Sequence, residues 1–135
     1  EAQGITVKEK SYGYEVILPH LMPKRNHRNH TVFLLEPLTY ALKEFTAAHP
    51  ICRLEYALIW FIYEYTEDTP IHCIRDYDNI ETKEVLDIIN SFFLLDDGGA
   101  FCELHYSTRR GNRNGTRVII SSDIGLVSCQ KINGN

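Results

Sequence analysis

The run from Leu54 to Tyr65 does most to limit what this chain can fold into. Leu54, Tyr56, Leu58, Trp60 and Ile62 make one apolar face of an extended segment, and Ile59, Phe61 and Tyr63 make the other. Aromatic and β-branched side chains at this density favour a strand over a helix. A strand apolar on both sides needs neighbours in a sheet and cover on both faces. The expectation is a long central strand over residues 53–66, closed by a turn at Glu67-Asp68-Thr69-Pro70. A short extension, Ile71 to Ile74, carries the chain onward.

The remaining elements follow from hydrophobic spacing. Tyr12, Tyr14, Val16 and Leu18 alternate with Gly13, Glu15 and Ile17, which predicts a half-buried strand ended by Pro19. Residues 1–10 carry no strong signal and are expected to be a flexible lead. His20 to His30 reads as a polar, basic loop. Glu36-Pro37 has the form of a helix start, because proline loses nothing in the first turn and glutamate complements the helix dipole. Leu38, Ala41, Leu42 and Phe45 then fall on one face, and His49-Pro50 stops the helix. A second helix of about a dozen residues follows Asn79, with Val85, Leu86, Ile89 and Phe93 on its apolar face and Asp78 or Asn79 as its cap. Phe101 to Thr108 and Thr116 to Ser121 read as two strands of a β-hairpin, and residues 123–135 as a flexible tail. The sum is one α+β domain with a mixed sheet, two main helices packed on one face and a C-terminal hairpin.

With 14 Lys and Arg against 18 Asp and Glu, the formal net charge is −4. That is not the global signature of a nucleic-acid binder. Two local clusters run against it: Lys24, Arg25, His27, Arg28 and His30, then Arg109, Arg110, Arg113 and Arg117. Each reads equally as a phosphate-binding patch or as a solvated turn. No apolar run reaches about 18 residues, so no membrane-spanning helix is expected. Cys52, Cys73, Cys102 and Cys129 are scattered without a C-x-x-C pair, which fits reduced thiols in a cytoplasmic protein. His27-x-x-His30 lacks nearby carboxylate or thiolate partners for zinc. Neither a P-loop, a dinucleotide fingerprint nor G-x-S-x-G is present. The chain starts at Glu1, which reads as a processed or truncated beginning.

Two acidic clusters flank the second helix. Asp76 and Asp78 straddle Tyr77, so in an extended segment both carboxylates leave the same side. Asp96-Asp97-Gly98-Gly99 follows the helix. Taken separately, Asp78 is a helix cap and Asp96-Asp97-Gly98-Gly99 is a tight turn. Taken together, two or three carboxylates suffice for Mg²⁺, which keeps several waters.

Strand, Arg75-Asp76-Tyr77-Asp78-Asn79, helix, Leu95-Asp96-Asp97, strand, Gly-rich turn, strand resembles the RusA family of Holliday-junction resolvases. The likeness covers roughly residues 53–121, with a looser echo in residues 12–30. It implies a RusA-like homodimer of phage or mobile-element origin that nicks branched DNA. It implies Mg²⁺, or Mn²⁺ in its place, held by Asp76, Asp78 and Asp97. Lys83 or Arg25 would stabilise transition-state charge, and Lys24, Arg25, Arg28, Arg109, Arg110 and Arg113 would hold DNA. The chain departs from the pattern where the family places a lysine, three residues after the Asn. Thr82 stands there, with Lys83 next to it and Glu81 before it. The alternative implied is a catalytically inactive RusA-like binding or scaffold domain.

Overall fold

The computed structural model of the chain describes residues 4–19, 28–51, 53–70, 82–95 and 102–123. Elements run β1 (Thr6–Lys10), β2 (Gly13–Leu18), α1 (Arg28–Ala48), β3 (Ala57–Thr66), α2 (Lys83–Phe93), β4 (Cys102–Gly111) and β5 (Gly115–Ser121). The five strands form one mixed sheet in the order β1-β2-β5-β3-β4. Only β3 and β4 are parallel; the other neighbours are antiparallel. The α+β architecture with a mixed sheet is therefore as expected.

β3 takes the central role that its composition demands. Ala57 through Tyr63 are all buried, so both faces are covered. One face of β3, with Ala57, Ile59, Phe61, Tyr63 and Tyr65, joins Val16, Leu18, Val118 and Ile120 in the main core. Leu38, Ala41 and Leu42 of α1 and Val85, Ile89 and Phe93 of α2 complete it, so both helices pack on this face. Leu58, Trp60 and Ile62 form a smaller cluster with Ile119 on the opposite face.

Five expectations are corrected. Thr6–Lys10, read as part of a flexible lead, is strand β1, paired antiparallel with β2 from Thr6↔Ile17 to Lys10↔Gly13. Its own sequence carries little apolar signal because it is an edge strand whose bonds come from β2. Tyr12 lies in the two-residue turn between these strands and packs against the smaller cluster, so it does not share a face with Val16 and Leu18. Gly13, at φ +146°, makes that change of direction where an added Cβ would run into the backbone of Ile120.

α1 starts at Arg28, eight residues before Glu36, and carries Pro37 inside it. The proline removes one amide donor, while the helical bonds on either side remain and the Leu38–Phe45 stripe is buried as expected. α2 starts at Lys83, so its cap position falls to Thr82, which makes no side-chain capping bond; the expected caps, Asp78 and Asn79, lie outside the described residues.

β4 and β5 are not a hairpin. β3 lies between them, parallel to β4 and antiparallel to β5. The three residues 112–114 carry the chain across the end of β3, a step of about 10 Å over two strand spacings. Asn114 fastens this crossing, its Oδ1 accepting from the amide of Thr66 at 3.0 Å. Burial drives the exchange: β3 is apolar on both faces and gains two neighbours, whereas a hairpin would leave it one fewer.

Candidate nucleic-acid interface

β3, α2 and β4 form a parallel crossover unit, so the carboxyl ends of β3 and β4 lie side by side. The connection from Pro70 to Thr82 contains Asp76 and Asp78. These two, together with Asp97, Lys24 and Arg25, lie outside the described residues. Cys52, Cys73, Cys129 and His27 do so as well.

The carboxyl end of β3 is tied down by polar contacts. The hydroxyl of Thr66 reaches Asp68 Oδ1 at 2.7 Å and the Thr69 hydroxyl at 2.8 Å. The amide of Thr69 donates to the carbonyl of Thr66 at 3.1 Å. Arg110 Nη1 donates to the carbonyls of Thr66, at 2.8 Å, and of Thr69, at 2.6 Å. Arg110, expected to hold DNA, thus positions the turn from which the chain leads to Asp76. Sequence reasoning marked this turn from Asp68-Thr69-Pro70, but missed Thr66 and Asn114, which only strand register brings to it.

The other described members of the predicted set divide. Arg109, near the end of β4, lies on the sheet face opposite Arg110, half-buried, and makes no ion pair among the described residues. Arg113 is exposed in the crossing turn. Arg28 opens α1. Arg117 leaves the second basic cluster, since its guanidinium meets Glu15 at 2.9 Å on β2, with Lys10 Nζ 3.8 Å from the same carboxylate. The side chain of Glu15 is 4% exposed, so this charge needs its partners. Desolvation, then repulsion from Glu15, push the Tyr12 phenol up to about 12, opposed by Arg117.

Lys83 projects into solvent, its side chain 78% exposed, and pairs with Asp87 at 3.2 Å one turn along α2. Thr82 is buried, its hydroxyl 3.2 Å from the phenol oxygen of Tyr106. Tyr106 stacks against Tyr63 and Phe61, with ring centroids 6.2 and 5.9 Å away. So of the two adjacent residues at the head of α2, Thr82 faces the sheet and Lys83 faces away.

As for a metal, the proposed donors Asp76, Asp78 and Asp97 are all carboxylates, which is the hard oxygen chemistry that Mg²⁺ takes. Among the described residues no three His, Cys, Asp or Glu side chains group to hold an ion. No helix among them is long and apolar enough to cross a membrane.

Two solved structures have similar chain traces, both crystal structures of the periplasmic domain of Helicobacter pylori MotB. The one of residues 90–256 is 13% identical with a TM-score of 0.46, over 99% of this chain and 88% of that one. The one of residues 97–256 is 16% identical with a TM-score of 0.44, over 96% of each chain. No curated protein matches the sequence. A family model does match, over residues 1–124, and the chain belongs to that family, DUF6100, a family of unknown function.

Proposed function

We propose that this chain is a magnesium-dependent endonuclease domain acting on branched DNA in the cytoplasm, with its site at the carboxyl ends of β3 and β4. The observation that supports it is topological. In open sheets with parallel strands, ligands collect outside the carboxyl ends, and the connection carrying Asp76 and Asp78 leaves from there. Arg113 is exposed at the same end, so a cationic side chain stands where the chain leaves the sheet toward Asp76 and Asp78.

In this reading Asp76, Asp78 and Asp97 hold Mg²⁺. The ion, when bound, polarises the scissile phosphate and lowers the pKa of a bound water. Arg113, with Lys24, Arg25 and Arg28 from the first basic cluster, contacts phosphates. Arg110 fixes the Thr66–Thr69 turn, and so the base of the Asp76–Asp78 connection. The test is nicking of a synthetic four-way junction with Mg²⁺ or Mn²⁺. Cleavage by the native chain and its loss in Asp78→Asn are expected. Equal cleavage by both removes the mechanism.

A specific observation favours a second reading, a RusA-like domain that binds branched DNA without cutting it. Thr82 is buried against Tyr106 at the position where the resolvase pattern has its lysine, while Lys83 points to solvent. Junction binding in a gel shift, unchanged by Asp78→Asn and unaccompanied by nicking, would select this reading.

A further inference from the structure

We infer that the outer edge of β4 is a self-association surface on which a second copy of this chain pairs antiparallel, centred on Tyr106. The inference does not depend on the nuclease reading. Among the described residues β4 pairs only with β3, which leaves one of its edges without a strand. That edge belongs to a strand of 10 residues, twice the length of β1 at the other side of the sheet. β1 is short and carries Lys8 and Lys10, the usual protection of an edge against strand addition. β4 lacks lysine and leaves Leu104 39% exposed.

The charges on β4 specify the partner. Paired strands must share faces, so residues that meet across a twofold-related antiparallel pair have the same parity. Glu103, His105, Ser107 and Arg109 share one face, opposite Leu58, Trp60, Ile62 and Glu64 of β3. With Tyr106 on the twofold axis, Glu103 meets Arg109 of the other copy, and Arg109 meets its Glu103. His105 meets Ser107, and on the helix face Leu104 meets Thr108. A two-residue shift toward the end of β4 sets His105 against Arg109 and Glu103 against Gly111. The opposite shift sets Glu103 against Ser107. A parallel in-register pairing sets like charge on like. Only the arrangement centred on Tyr106 satisfies both charges, and it does so twice by symmetry. Arg109, which makes no ion pair within its own described chain, gains one, while Glu103 exchanges its 3.1 Å contact with His105 for a permanent cation. Two five-stranded sheets then join edge to edge into one.

Sedimentation of the full chain at several concentrations tests this, with circular dichroism to confirm that each variant is folded. The native chain is expected at twice 15.6 kDa. Glu103→Arg and Arg109→Glu are each expected to weaken the dimer roughly tenfold to a hundredfold, since each turns two cross-strand attractions into repulsions. An equimolar mixture of the two variants restores the dimer, because every facing pair is then of opposite sign, and so does the double variant Glu103→Arg/Arg109→Glu. A native chain that stays monomeric, single variants that dimerise like the native chain, or a mixture that stays monomeric overturns the inference.

Discussion

The hydroxyl of Thr82 lies 3.2 Å from the phenol oxygen of Tyr106, fixing the start of α2 to the middle of β4. Twenty-four residues separate the two in sequence. The contact lies on the same side of α2 as Val85 and Ile89, which enter the core, while Lys83 is left in solvent. A residue step of about 100° separates Thr82 from Lys83 on the helix. Lys83 therefore cannot take the place of Thr82 without rotating the helix.

Thr82→Val keeps the shape of the side chain and loses the bond, and Tyr106→Phe does the same from the other side. Each is expected to cost about 1 kcal/mol. Because both remove one interaction, the double variant should cost less than the sum, with a coupling of about 0.5–1.5 kcal/mol in urea unfolding. Strict additivity would show that the contact contributes nothing.

Arg110 and Arg113 are three apart in sequence and differ in role. Arg110→Ala leaves the carbonyls of Thr66 and Thr69 without their charged donor and should cost about 1.5–3 kcal/mol. Arg113→Ala, at an exposed position, should stay within about 0.5 kcal/mol. In the nuclease reading the order reverses for DNA affinity at low salt, where Arg113→Ala weakens binding and also lowers its salt dependence. Denaturant unfolding and fluorescence-anisotropy titration measure the two effects.

Arg117→Ala strands the Glu15 carboxylate, leaving Lys10 at 3.8 Å as its remaining cation. The expected loss is about 2–4 kcal/mol, below the upper range for buried pairs because Arg117 is 23% exposed. The double variant Arg117→Leu/Glu15→Leu removes the stranded charge and should recover part of that loss, as thermal unfolding would report.

Tyr12 makes stability depend on alkaline pH. Its phenol is raised to about 12 in the folded chain against an ordinary value of 10.0. The folded state therefore holds this proton more tightly than the unfolded state does. The resulting stability is fully present below pH 10 and is lost as pH rises through 12. Tyr12→Phe should flatten the fall in stability between those values, measured by urea unfolding across the range. An identical slope in native and variant chains would show that Tyr12 is not the group responsible.

Most elements were legible because each rests on a local signal. The aromatic run gave β3 as a strand buried on both sides, and the stripes Leu38–Phe45 and Val85–Phe93 gave the inward faces of both helices. β1 was not legible, because an edge strand is specified by its partner and Thr6–Lys10 has almost no pattern of its own. Pro37 misled for the opposite reason, a strong local signal for a helix start overridden by helix on both sides. At the candidate interface, the Asp68-Thr69-Pro70 turn and the arginines of β4 could be named in advance. That Arg110 faces the turn while Arg109 faces the other side of the sheet follows from strand parity once β4 is in register.

The sequence by itself determined the α+β class, the central place of β3 and which side of each helix is buried, because apolar periodicity acts within a single element. Tertiary structure alone decided that β5 crosses β3 rather than pairing with β4, and that the Thr82 hydroxyl meets the phenol of Tyr106. Both depend on which strand lies beside which, and that is settled by burying the two apolar faces of β3 at once. No spacing within the turn Asn112-Arg113-Asn114 encodes that competition.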